Sequence, residues 1–264
     1  MIARGVDGDE VRRLRREGWS LLKIAEHLGV SQSTVRFHSR GIKVKVPKEK
    51  RVYQRATQLG SLASCRPLPP SKDLAHLIGV ICGDGNIYSK GSVVGLSISC
   101  DGCYPELVEK YKPLIERVLG KRPTPYWRKE GRYCELRLYS QLIPILLDLP
   151  PGKKAQDYPV PEWIFSDLNF VRPFLRGLIE TDGNIYHEYR NNGWCSRCLF
   201  TAKIESIMAA FLRGTSMLGY EFRHVPSQFQ ARLTRTALVK QLALELDITK
   251  NRVYIQKPKF DEAP

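Results

Sequence analysis

Two aspartates 98 residues apart, Asp84 and Asp182, stand in closely matching surroundings. The first lies in Leu77-Ile78-Gly79-Val80-Ile81-Cys82-Gly83-Asp84-Gly85-Asn86-Ile87-Tyr88, the second in Leu175-Arg176-Gly177-Leu178-Ile179-Glu180-Thr181-Asp182-Gly183-Asn184-Ile185-Tyr186. Each segment reads as an apolar helix that runs into Asp-Gly and then into a strand. A carboxylate at a helix C-terminus faces the negative end of the dipole, an unfavourable place for it. Two such acids side by side repel unless a cation lies between them, the arrangement that metal-assisted phosphodiester hydrolysis uses. An all-oxygen site completed by water and phosphate suits Mg²⁺, with Mn²⁺ as a substitute. The expected metal site is Asp84 and Asp182 with the residues just before them, Gly83 and Thr181.

The acids need elements that bring them together. Gly79 and Gly83 are four apart, on one helix face, and Gly177 and Thr181 occupy the same places in the second copy. Small residues there let two helix backbones approach closely. Gly85 and Gly183 are expected to supply the turn out of each helix. Both copies continue with an alternating segment, a helical one ending in Leu-Gly (Leu119-Gly120, Leu218-Gly219), a further strand pair and another helix. Cys134, Leu136 and Leu138 match Phe229, Ala231 and Leu233 as the set expected to be buried. Alternation then puts Tyr133, Glu135, Arg137 and Tyr139 on the opposite face of one copy and Gln228, Gln230, Arg232 and Thr234 on that of the other.

The resulting fold class is α+β, two pseudo-symmetric αββαββα repeats forming a DNA-binding saddle, preceded by a small all-α helix-turn-helix module. The expected divisions are that module over 1–42, a basic linker over 43–72 ending in Arg66-Pro67-Leu68-Pro69-Pro70, and repeats over 73–165 and 166–258. The formal charge of +15, from 42 Lys and Arg against 27 Asp and Glu, attracts polyanions, nucleic acid foremost. No run of about 18 apolar residues offers a membrane span and no secretory signal opens the chain, so the expected location is the cytoplasm, with the nucleoid when bound. Seven cysteines in such a chain read as reduced thiols. The pairs Cys100/Cys103 and Cys195/Cys198 raise zinc, but Cys195 and Cys198 fall in a strand, where residues three apart point to opposite faces, which favours packing thiols.

Residues 9–40 carry two short helical patterns around Leu28-Gly29-Val30, with Ala25 small enough for helices to cross, Gly29 able to take positive φ, and Ser31 as N-cap of the next helix, Gln32 to about Ser39. Val35 then faces inward while Gln32, Ser33, Arg36 and His38 project. Through residue 55 the chain holds 14 Lys and Arg against 6 Asp and Glu, an electrostatic footprint for phosphates. This module resembles the helix-turn-helix of resolvases and many regulators, which implies that its second helix enters a major groove. A resolvase-like recombinase would need a serine nucleophile domain, and none is found.

The paired Asp segments resemble the motifs that name the LAGLIDADG homing endonucleases, and the likeness spans about residues 72 to 255. Two copies in one chain are similar to the single-chain members that cut asymmetric sites. Copy one departs from the pattern at Val80, Cys82 and Gly83. The resemblance implies that Asp84 and Asp182 are the catalytic acids of a monomeric, site-specific double-strand DNA homing endonuclease. It also implies basic residues near the metal, matched here by Lys153-Lys154 and Lys250, so Lys154 and Lys250 join the catalytic candidates. The end of the second strand offers Lys203 in copy two but Asp101 in copy one. Pro159-Val160-Pro161-Glu162-Trp163-Ile164 resembles the family's structural approach to the second motif. The face expected to read duplex DNA holds Asn86, Tyr88, Lys90, Arg137, Asn184, Tyr186, Arg197, Gln228, Gln230 and Arg232, chemically suited to guanine and adenine edges. The same fold implies two other partners, regulatory DNA bound without cutting and, in maturases, intron RNA. The intact acid pair favours cutting.

Overall fold

The computed structural model describes residues 7–42, 67–90, 93–128, 131–190, 193–248 and 251–254, and the chain divides into two compact units between Leu59 and Gly60. The described residues of the first unit form three helices where two patterns were expected: α1 (Gly8–Arg16), α2 (Leu21–Leu28) and α3 (Gln32–His38). α1 escapes a pattern search because only Val11 and Leu14, one turn apart, face its core. Ser31 caps α3 by accepting Thr34 N–H at 3.1 Å, and Gly29 turns the chain at φ +64°. Val11, Leu14, Ile24, Ala25 and Val35 form the core of this unit, joined by Trp19, Leu21, Leu28 and Val30.

The first described helix of the second unit is α4 (Lys72–Cys82), capped by Ser71, whose hydroxyl accepts Leu74 N–H. The linker expected over 43–72 lies mostly outside the described residues, but its end belongs to this unit, since Leu68 N–H donates to Leu146 O at 2.9 Å. β1 (Gly85–Lys90), β2 (Val93–Asp101), α5 (Pro105–Leu119), β3 (Thr124–Arg128), β4 (Tyr133–Tyr139) and α6 (Ile143–Leu147) complete the first repeat. A 3₁₀ turn, Glu162–Ser166, leads into α7 (Leu168–Asp182), β5 (Gly183–Arg190), β6 (Gly193–Thr201), α8 (Glu205–Met217), β7 (Arg223–Val225), β8 (Gln230–Leu233) and α9 (Thr236–Glu245). Both repeats are thus αββαββα, and the second adds β9 (Asn251–Tyr254).

The sheets run β1-β2-β4-β3 and β7-β8-β6-β5-β9, antiparallel except where β9 joins β5 in parallel. Alternation buries one face of each: Ile87, Leu96, Ile98, Cys100, Cys134, Leu136 and Leu138 in the first, Ile185, Cys198, Phe200, Ala231 and Leu233 in the second. Phe229 breaks the expected set. It follows a 3₁₀ turn at Pro226–Gln228, takes φ +52° and stands 49% exposed, because the turn delays the strand until Gln230.

α4 and α7 cross at backbone contact. A methyl group at Gly79 would lie 2.2 Å from Phe174 O, and one at Gly177 would lie 2.6 Å from both His76 O and Val80 N, so neither position has room for a side chain. Gly85 and Gly183 prove necessary for closeness, not for left-handed φ. Neither has positive φ, and a Cβ there would meet Ile81 Cα at 2.5 Å or Ile179 Cα at 2.6 Å.

A buried charge ties the repeats together beside this crossing. Glu180 of α7 is 1% exposed and pairs with Lys110 of α5, while Tyr111 donates its hydroxyl to Glu180 at 3.3 Å, Arg176 Nε stands 3.3 Å away and His76 Nε2 3.4 Å. Burial pushes this carboxyl up, but hydrogen bonds and charges from His76 and Lys110 outweigh it and hold the group at about 2. A folded value below the ordinary ~4.3 means that the pairing stabilises fully above about that pH and that its contribution is lost as pH falls towards 2. Glu180→Gln strands Lys110, and urea unfolding at neutral pH is expected to show a loss of about 3 kcal/mol. The same variant should flatten the acid limb of the stability curve, a limb that stays unchanged if Glu180 contributes nothing.

Candidate paired-carboxylate site and sheet face

The two acids end their helices differently. α4 stops at Cys82, Gly83 follows as its C-cap, and Asp84 stands exposed in the turn before β1, its carbonyl accepting Ser99 N–H at 3.2 Å. α7 runs on to Asp182, which is half-buried, and β5 begins at once. Thr181 holds that last turn helical by donating its hydroxyl to Gly177 O at 2.8 Å and Leu178 O at 3.1 Å. Gly83 lets the ends meet: a Cβ at Gly83 would fall 1.9 Å from Thr181 Oγ1 and 3.4 Å from an Asp182 carboxylate oxygen.

Lys154 reaches into this junction from the segment after α6. Its ammonium donates to Cys82 O at 2.7 Å and Gly83 O at 2.6 Å, placing a cation on the carbonyl end of α4, where the dipole favours one. Burial lowers its pKa, opposed by the nearby Cys82, Asp182 and Asp84. Burial likewise pushes the Cys82 thiol up to about 12, so it stays protonated. Lys153, its neighbour, is exposed. Lys250 lies outside the described residues. Two residues before Lys154, Gly152 N–H donates to Ile87 O at 2.7 Å, which anchors this segment on β1. Lys203 is exposed, and Asp101 accepts Cys103 N–H at 2.9 Å, closing a turn.

Among the described residues no three His, Cys, Asp or Glu side chains come together to hold a metal. The donors at the junction are the carboxylates of Asp84 and Asp182 and main-chain carbonyls. Thr181 adds its carbonyl, while its hydroxyl hydrogen is spent within the helix. Gly83 offers a carbonyl already accepting from Lys154. That set is all oxygen and incomplete without water and substrate, which fits a hard cation such as Mg²⁺. Cys195 and Cys198 lie on opposite faces of β6, the first half-exposed and the second buried, and burial pushes the Cys198 thiol up to about 12.

The solvent face of the first sheet presents Asn86, Tyr88, Lys90, Glu135 and Arg137, and that of the second Asn184, Tyr186, Arg197, Gln230 and Arg232. Tyr88 lies over Gly95, where a Cβ would sit 2.7 Å from its ring and hydroxyl, and its ring meets that of Tyr139 edge-on. Burial and the Tyr139 hydroxyl push the Tyr88 phenol up to about 12. Gln228 sits on the 3₁₀ turn, not a strand, and accepts from Arg232. A cluster that the sequence reading did not single out surrounds Glu135, which accepts from Arg137 Nε at 2.8 Å and lies 3.2 Å from Arg128 Nε. Its signal was available, since residues two apart in a strand share a face.

On α3, Gln32, Ser33 and Arg36 are exposed as expected, whereas His38 turns back onto α1, 2.8 Å from where a Cβ on Gly8 would lie. Phe37, missed from the sequence, is 63% exposed, with Arg40 over its ring at 5.5 Å. Removing the Lys154 ammonium as Lys154→Met leaves two carbonyls without their charged donor. Chemical denaturation should register a loss of about 2 kcal/mol, and Lys154→Arg should recover part of it.

No protein-family profile matches the chain, and no curated protein matches it. Among solved structures it is similar to a mesophilic variant of the homing endonuclease I-DmoI, at 15% identity and a TM-score of 0.44, over 66% of this chain and 94% of that one. It is also similar to the I-LtrWI LAGLIDADG homing endonuclease bound to target DNA, at 9% identity and a TM-score of 0.45, over 68% and 85% of the two chains. A third likeness is to the N-terminal LAGLIDADG domain of DUF199/WhiA, at 11% identity and a TM-score of 0.43, over 78% and 96%.

Proposed function

We propose that this chain is a site-specific, divalent-metal-dependent DNA endonuclease of the two-motif LAGLIDADG type, acting as a monomer on a long asymmetric duplex site. The observation that carries the reading is the meeting of the Asp84 and Asp182 helix ends, where Asp182 lies against Gly83, the residue before Asp84, and Lys154 bonds the carbonyls of Cys82 and Gly83. A surface that only bound DNA would gain nothing from two carboxylates in a chain of formal charge +15, since each repels phosphate.

Asp84 and Asp182 would hold the cation, Mg²⁺ or Mn²⁺, with the carbonyls of Gly83 and Thr181 as further oxygen donors. When bound, it neutralises phosphate charge and makes water a better nucleophile at neutral pH. Lys154 spends two N–H groups on Cys82 and Gly83 and has a third to offer a phosphate oxygen. The sheet faces would position the duplex, their guanidinium and amide side chains on base edges and phosphates. The first unit, with Gln32, Ser33 and Arg36 exposed on α3, would add a flanking groove contact through linkage.

One observation favours a second reading, a DNA-binding regulator that does not cut: the Lys154 ammonium already occupies the Gly83 carbonyl. Cleavage decides between them. Incubated with Mg²⁺ and a plasmid library carrying randomised sites, the full chain should cut at a preferred sequence, and Asp84→Asn and Asp182→Asn should each lower the rate by roughly 10³-fold while leaving binding intact. Sequence-preferring binding with no cutting in Mg²⁺ or Mn²⁺ would hand the case to the regulator. Affinity for duplex DNA should fall on the order of 10³-fold between 50 and 200 mM salt, and a flat salt titration would contradict the phosphate-gripping model.

A further inference from the structure

We propose that Glu135 is a specificity-determining residue, which aims Arg137 at a guanine in the half-site under the first repeat; this rests on the DNA-binding reading above. The solvent face of the first sheet holds a hollow of about 400 Å³ lined by Asn86, Tyr88, Ser97, Ser99, Glu135 and Arg137. Within it the Arg137 guanidinium is held on an edge and a face. Glu135 Oε2 accepts from Nε at 2.8 Å and also from Nη2, and the Tyr126 ring of the edge strand lies against the guanidinium, 4.5 Å from centroid to Cζ. The other carboxylate oxygen of Glu135 stands 3.2 Å from Arg128 Nε, and Arg128 also lies over Tyr126, at 5.1 Å.

Both oxygens of Glu135 therefore face guanidinium groups, which suits a buttress and not a reader of base amines. Engaging Arg137 through Nε and one Nη2 hydrogen turns its other edge, Nη1 and the second Nη2 hydrogen, away from the carboxylate. That edge is a pair of parallel donors, the geometry that guanine O6 and N7 accept. The arrangement recurs in the second repeat: Arg232, the counterpart of Arg137, is held through Nε by Gln230 Oε1 at 2.7 Å and through Nη2 by Gln228. The supports differ in charge. Glu135 offsets part of the charge of the Arg137–Arg128 pair, so Arg137 is weakened as a grip on phosphate and kept as an oriented donor, whereas Arg232, held by neutral amides, retains its full charge for the backbone.

The test selects bound duplexes from a randomised pool with the full chain and with Arg137→Ala, Glu135→Gln and Glu135→Ala. The native chain should enrich guanine at one position whose preference Arg137→Ala abolishes. Both Glu135 variants should lower the guanine preference at that same position by roughly 10-fold, leave the other positions unchanged, and strengthen binding to unselected duplex at low salt. A mere structural role for Glu135 would weaken all positions together and overturn the proposal. So would a Glu135-dependent preference for cytosine or adenine at a position where Arg137→Ala has no effect. Selection that remains sequence-specific but is indifferent to Glu135 removes this inference alone, while a native chain that enriches no sequence removes the DNA-recognition reading together with it.

Discussion

The architecture depends on the contact of two helices at backbone distance. Where α4 crosses α7, Gly79 and Gly177 each face main-chain atoms of the other helix, and Gly83 faces Thr181. At Gly79 and Gly177 no side chain fits, and at Gly83 the one side chain between the helices is that of Thr181, so the spacing of the two Asp-bearing ends is set almost entirely by the peptide backbone. The sheets hang from those same ends, β5 directly and β1 through the turn at Asp84. Position of the acids and position of the faces are therefore one constraint.

Closeness of that kind concentrates charge, and the described residues manage it in two places. At the carbonyl end of α4, Lys154 supplies a cation to the dipole. On the second helix, Glu180 occupies the place that Cys82 holds in the first copy, and it is matched by Lys110 from the opposite repeat. A buried carboxylate is tolerable only with such partners. The pseudo-symmetry of the backbone thus conceals two different electrostatic solutions, one at the surface of the junction and one in its interior.

Much of this was legible in the residues. The repeat at 98-residue spacing exposed the acids, and the small residues on one face of each helix announced the crossing. Strand alternation placed Arg137 and Arg232 on the correct face. What stayed hidden depended on partners far apart in sequence. Nothing near Glu180 points to Lys110, 70 residues away, and although the family resemblance put Lys154 beside the paired acids, no pattern around it foretold its bonds to Cys82 O and Gly83 O. Phe229 was misread because an alternating pattern cannot reveal that Pro226–Gln228 curls into a 3₁₀ turn. Gly183 does cap its helix as the sequence suggested, but the close contacts that also require glycine there and at Gly85 were not legible, since a glycine required for contact and one required for a turn look alike as letters.

The segment joining the repeats carries a consequence for how such a chain can be recombined. After α6 it borders β1 through Gly152, sends Lys154 to the end of α4, and then serves the second repeat. α8 has no capping side chain of its own at Ile204; Gln156 instead accepts Glu205 N–H through its side chain and Ser206 N–H through its carbonyl, while the Ser206 hydroxyl donates to Tyr158 O. The stretch is a shared structural part, belonging to both halves at once. Grafting either half onto a foreign partner at this joint would sever a helix cap on one side or a helix-end cation on the other, so a workable junction has to carry this whole stretch with both of its attachments.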